Sequence, residues 1–130
     1  MSDRLRVLII DDHADLAEAL AQVVALLDHD ARVATSAREG LAAAREQDPE
    51  VVFLDVGLPD LDGCEVARRL RLAGSSALLV AFTGRSGRAE VRRFQQAGFD
   101  RHVVKPALME TLGPLFTEAL ARRSQTPRPA

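Results

Sequence analysis

Apolar residues fall along this chain in short blocks, each ending in polar or turn-forming residues. Arg4 to Ile10, RLRVLII, is rich in β-branched side chains and gives way at once to polar ones, which predicts a buried strand. Leu16, Leu20, Val23, Val24 and Leu27 then recur at helical spacing, predicting a helix that starts near Asp12 or His13. His29 and Asp30 mark a turn, and Ala31 to Thr35 reads as a short second strand. Ser36 can cap an alanine-rich helix to about Gln47, which Asp48-Pro49 stops.

The alternation continues. Val51-Val52-Phe53-Leu54 is a third apolar run, ending in Asp55. The following loop, GLPDLDG, is dense in turn formers, and Asp62 can cap a helix to about Leu72 that Gly74 to Ser76 break. Ala77 to Phe82 is a fourth buried strand, ending at Thr83-Gly84. A less apolar helix covers roughly Arg88 to Ala97, with Gly98 where a C-cap belongs. His102 to Val104 is a short fifth strand ending at Lys105-Pro106, and the last helix carries Leu108, Leu112, Leu115, Phe116, Ala119 and Leu120 on one side. Five strand-helix units with short connections call for an α/β fold, a parallel sheet covered by helices on both faces.

Composition narrows the classes without naming one. At 130 residues, 47% of them hydrophobic and 28% charged, the chain suits one globular domain. No apolar run approaches the ~20 residues of a membrane span, and MSDRLR does not lead into a signal peptide, so a cytoplasmic location is expected. Cys64 is the only cysteine, so a disulfide or cysteine metal cage is excluded within the chain, and a small core filler is expected there. The net charge of −2 gives no global pull toward nucleic acid or membrane. Of 17 basic residues only Lys105 is lysine, which singles out that position as one where a guanidinium would not serve.

Ligands of open parallel sheets bind beyond the carboxyl ends of the strands. After the first strand come Asp11 and Asp12, after the third Asp55, after the fourth Thr83 and after the fifth Lys105. Three carboxylates on one rim repel unless a cation sits among them, and oxygen donors suit magnesium. An ammonium and a hydroxyl beside them can hold phosphoryl oxygens, with Asp55 as the nucleophile of an acyl phosphate.

The stretches IIDDH, VVFLDVGLPDLDG, AFTG and AGFDRHVVKP, in this order and spacing, resemble the signatures of response-regulator receiver domains over about Leu5 to Ala121. The tail SQTPRPA, residues 124–130, reads as disordered after a receiver domain expected over residues 1–123. The resemblance implies a flavodoxin-like (βα)5 doubly wound sheet of strand order 2-1-3-4-5. It implies Asp55 as phosphoacceptor, and Asp11, Asp12, Asp55 and the Gly57 backbone carbonyl as ligands of Mg2+ or Mn2+. Thr83 matches the conformational switch, Lys105 the phosphate-binding lysine, and Pro106 the cis-proline after it. His102 stands where the switch aromatic is usual, and Gly57 where a larger residue is common. Expected partners are a histidine kinase or histidine phosphotransfer protein as donor. A downstream protein, or a second copy of the chain, is expected on the face made by the fourth helix, fifth strand and fifth helix. Direct nucleic-acid and membrane binding are not expected. Such a domain catalyses only its own phosphorylation and dephosphorylation. The style of LLVAFTG and AGFDRHVVKP is closer to receivers attached to hybrid histidine kinases, though a free-standing regulator is the other arrangement, and no output domain is expected after the fifth helix.

Three rival readings differ at particular residues. Aspartyl-phosphate phosphatases place a second acid two residues beyond the nucleophile, where this chain has Gly57. A receiver-like module that signals by binding alone would show damage in the site residues, and all are present. A flavin carrier would meet two acids where it needs a phosphate-cradling loop. His13 invites reading as a metal ligand, but with no second histidine near it the expected role is a solvated helix start. His29 is expected to be a turn residue without further role. Arg85, Arg88, Arg92, Arg93 and Arg101 bunch around the fourth helix and fifth strand, on a solvated face that would suit an acidic partner.

Overall fold

Five strands, β1 (Arg6–Ile10), β2 (Asp30–Ala34), β3 (Val51–Asp55), β4 (Leu78–Thr83) and β5 (Arg101–Val104), pair in parallel in the order β2-β1-β3-β4-β5. The structure is a computed structural model and describes residues 4–84, 88–104 and 108–125. The helices are α1 (Ala14–Leu26), α2 (Ala37–Gln47), α3 (Gly63–Leu72), α4 (Arg88–Ala97) and α5 (Leu108–Gln125). This is the expected flavodoxin-like arrangement. The central strands β3 and β4 are buried along their whole length, because helices cover both faces. Edge strand β2 instead alternates between exposed and half-buried positions and keeps only Ala34 fully inside.

Strand alternation divides the core into two layers. Val7, Ile9, Val51, Phe53, Val80 and Phe82 point to the side of α1 and α5, where Leu20, Val24, Leu112 and Phe116 meet them. Leu8, Ile10, Val52, Leu54, Leu79 and Ala81 point to the side of α2, α3 and α4, against Ala43, Val66, Leu70 and Phe94. Helix α2 lies so close to β1 that a Cβ on Gly40 would come within 2.5 Å of the Ile10 side chain. Cys64 is buried in this second layer, the filler expected, and burial pushes its thiol up.

The rim opposite the candidate site is tied by arginines. The Arg71 guanidinium on α3 donates to the carbonyls of Ser75, Ala77 and Gly98 and to Asp100 Oδ2, at 2.8–3.1 Å. Asp100 Oδ2 also accepts from Leu79 N, so one carboxylate joins β4, the turn before β5, and α3. Arg123 on α5 grips Glu50 with two nitrogens and reaches the Arg4 carbonyl at 2.8 Å. His29 is more than a turn residue. Its Nδ1 accepts from Leu5 N at 3.0 Å, and its ring meets Phe116 edge-on, centroids 4.7 Å apart. Helix α5 runs through Gln125, so Ser124 and Gln125, expected in the tail, are helical; arginines 122 and 123 favour the C-terminal end of that helix. Among the described residues, no helix is long and apolar enough to cross a membrane.

Candidate functional site

Asp11 follows β1, Asp55 ends β3 and Thr83 ends β4, so parallel strands carry all three to one rim. Because Asp55 pairs with Phe82 in the β3–β4 register, Thr83 stands one step beyond it on the neighbouring strand. Thr83 in turn pairs with Val104, the last residue of β5. Lys105 follows directly in the chain. Lys105 and Pro106, the expected phosphate-binding lysine and cis-proline, lie outside the described residues.

The two inner carboxylates are enclosed, Asp11 at 0% and Asp55 at 5% exposure, while Asp12 is exposed. The backbone N–H of Asp11 donates to Ala34 O, which fixes the residue against β2. Asp55 Oδ1 accepts from Gly57 N at 3.0 Å. Asp11 Oδ1 accepts from His13 N at 3.0 Å and lies equally far from the His13 ring Nδ1. Burial pushes the Asp11 carboxyl above the usual carboxylate range, the neighbouring Asp55 adds to the rise, and the His13 contacts oppose it. Ligand atoms of Asp11, Asp12, His13 and Asp55 all lie within 4.8 Å of one another. Two enclosed carboxylates beside an exposed third are a donor set that a divalent cation would satisfy. The residues fit Mg2+ or Mn2+.

Neighbouring turns hold this rim in place. Asp62 Oδ1 caps α3 by accepting from Cys64 N at 2.7 Å, as expected. Ser36 caps α2 through Glu39 N, also as expected. Asp60, which the sequence reading did not single out, adds a tie across the rim. Its two oxygens accept from Ala37 N and Arg38 N at 3.0 and 3.1 Å, binding the loop after β3 to the start of α2. Those backbone donors hold the Asp60 carboxyl below its usual range.

One expectation needs correction. His13 is solvent-exposed, its side chain at 64%, yet it is not merely a solvated helix start. It stands at the N-cap of α1 without capping through its side chain, and its Nδ1 turns toward the acids instead. The basic face is solvated as expected, with Arg92, Arg93 and Arg101 exposed, while Arg85 and the Arg88 side chain lie outside the described residues. On that face Arg93 pairs with Asp62 at 3.3 Å and Arg101 with Glu118 at 2.9 Å. His102 is half-buried, its ring centroid 6.3 Å from that of Phe94 on α4. The Phe94 ring itself meets Phe99 edge-on.

A family profile described as response regulator receiver domain matches residues 7–115. A nitrate/nitrite response regulator protein homolog of Haemophilus influenzae is 32% identical over 114 residues, covering 86% of this chain and 55% of that protein. The virulence sensor protein BvgS of Bordetella pertussis is 34% identical over 125 residues, 91% of this chain and 10% of the relative. The chain thus spans about half the length of the first relative and a small part of the second. Among solved structures, a response regulator receiver domain protein from Clostridium thermocellum superposes with a TM-score of 0.85 at 20% identity, over 93% of this chain and 98% of that one. That likeness speaks for the fold.

Proposed function

The chain belongs to the response regulator receiver domain family, and from that premise we propose that it takes a phosphoryl group onto Asp55 from a phosphohistidine donor. The observation that carries this reading is the Asp55 carboxylate itself. It ends a central strand, is nearly enclosed, and has one oxygen oriented by the Gly57 N–H within reach of Asp11 and Asp12.

In the proposed transfer an Asp55 oxygen attacks phosphorus, the P–N bond to the donor imidazole breaks, and its electron pair returns to the ring nitrogen. The product is an acyl phosphate. Asp11, Asp12 and Asp55, with the Gly57 carbonyl, would hold Mg2+ or Mn2+, which supplies positive charge against the phosphoryl oxygens when bound. Thr83 offers its hydroxyl as a hydrogen-bond donor to the new group, and Lys105 its ammonium. Hydrolysis reverses the bond at Asp55: water attacks phosphorus and the carboxylate leaves. The acyl phosphate carries about −1.5 to −2 charges where the Asp55 carboxylate carried one, a change at this rim that biases a two-state equilibrium through Thr83. The face α4–β5–α5, with His102 against Phe94, is the proposed readout for a protein partner or a second copy.

Intact mass after mixing with Mg2+ and acetyl phosphate, beside Asp55→Asn, tests the proposal. One acid-stable, base-labile phosphoryl adduct that needs Mg2+ and is missing from the variant is expected. No adduct from two phosphodonors on a folded protein would overturn it and favour a module that signals by binding alone.

A further inference from the structure

Resting on the cation site proposed above, we infer that His13 adds an imidazole nitrogen to the carboxylate ligands, so that the site takes transition-metal dications of the Ni2+ and Zn2+ kind in preference to Mg2+. Its Nδ1 lies 3.0 Å from Asp11 Oδ1, 3.5 Å from Asp12 Oδ1 and 3.8 Å from Asp55 Oδ2. An ion held at about 2.1 Å by donors at right angles separates those donors by about 3.0 Å. The nitrogen therefore stands from its acidic neighbours at, or slightly beyond, the spacing of ligands that share one ion. A small inward adjustment of an exposed ring suffices for the longer two.

The Nδ1–Asp11 contact is itself at hydrogen-bond distance, and the same nitrogen faces all three acids. The ring does not cap α1, although it occupies the cap position. Nor is it held by packing, since its side chain is 64% exposed. One side of the cluster is where Gly57 brings no side chain: among the described residues, a Cβ there would find only Asp55 Oδ1 within 4 Å, at 3.6 Å. An entering ion thus meets oxygen donors on the enclosed side and one nitrogen on the exposed side. Oxygen donors alone suit Mg2+, Ca2+ and Mn2+; an imidazole shifts the balance along the series toward Ni2+ and Zn2+. With a nitrogen ligand the same rim discriminates between metals by chemistry rather than by size.

Calorimetric titration of the untagged chain with Ni2+ and separately with Mg2+ reads the inference, using wild type, His13→Asn and Asp12→Asn. Expected is a Ni2+ affinity that falls about tenfold or more in His13→Asn, the scale of losing one metal-supporting contact, with Mg2+ affinity held within about twofold. Asp12→Asn should weaken both metals, which places them at one site. Pulsed EPR of the Mn2+-loaded protein supplies a second readout: a directly bound nitrogen should appear in wild type and vanish in His13→Asn. Unchanged Ni2+ affinity and no nitrogen coupling, with Mg2+ still dependent on Asp12, would overturn the role of His13 and leave the phosphoacceptor site standing. Ni2+ binding that ignores Asp12 would place the metal elsewhere and overturn it too. Mg2+ binding that ignores Asp12 would take down both readings.

Discussion

Gly63 presses against the acceptor strand: a Cβ on it would lie 2.9 Å from the Asp55 carbonyl oxygen and 2.5 Å from the Val56 Cα. The first turn of α3 thus abuts the backbone that aims Asp55, and Gly63 N completes the contact by donating to Val56 O at 3.2 Å. Both neighbours are backbone, which yields poorly. Gly63→Ala should therefore destabilise the fold by roughly 1–3 kcal/mol, the usual range for overpacking. It should also slow phosphorylation of Asp55 by acetyl phosphate, because the strain is relieved at the acceptor. Urea unfolding beside adduct formation checks both; a stable variant phosphorylated at the wild-type rate would show that the loop moves freely.

Gly57 brings no side chain to the approach to Asp55. Its position requires no special backbone conformation, so a side chain there is tolerated and would project beside Asp55 Oδ1. Gly57→Met is expected to lengthen the lifetime of the phosphorylated form by about threefold to tenfold by excluding the attacking water. Loss of the adduct with time, followed by intact mass after removal of phosphodonor, gives the rate. An unchanged rate would mean that water reaches the phosphoryl group by another side.

The strand ends were legible in the sequence, and with them Asp11, Asp12, Asp55 and Thr83. The reason is physical: strands buried on both faces read as unbroken apolar runs, so the polar residue that ends each one is conspicuous. Cap residues Ser36 and Asp62 were legible too, since their chemistry is local. What escaped depends on contacts between residues distant in sequence, or on a side-chain rotamer. Arg71 reaches Gly98 and Asp100 across the fold, and His29 accepts from Leu5. The His13 ring could have faced water instead of the acids, and no spacing rule chooses between these. For Gly63 a signal was present, a glycine directly after a capping aspartate, but only the distance to Val56 explains it.

The buried Asp11 carboxyl is expected to cost the fold stability. It is completely buried and raised above its ordinary range, chiefly by burial and further by Asp55. A carboxyl raised in the folded state opposes folding once pH exceeds its folded value, so the penalty is present at neutral pH. Asp11→Asn removes the charge, keeps an oxygen for the His13 N–H, and adds an amide donor toward Asp55. The expected gain is about 1 kcal/mol, or about 3–5 °C in Tm without metal, together with weaker Mg2+ binding. A variant that melts below wild type in metal-free buffer would show that the Asp11 charge is already well compensated.

His29 should make stability depend on pH at the rim far from the site. Burial pushes its ring below the ordinary value; Arg123 and Arg4 push the same way, while Asp28 and Glu50 oppose them. Geometry demands the same direction, since Nδ1 can accept from Leu5 N only while unprotonated. The folded state therefore binds fewer protons than the unfolded chain just below the ordinary histidine value of about 6.5. Stability from His29 is present above that pH and is lost as pH falls toward the folded value. Wild-type Tm should drop from pH 7.5 to 5.5. His29→Phe keeps an aromatic ring against Phe116 but leaves Leu5 N without its acceptor, at a penalty of about 1–3 kcal/mol. That variant should melt lower at pH 7.5 and show a flatter profile below it. Parallel profiles for the two proteins would assign the acid sensitivity to other groups and leave His29 a packing residue only.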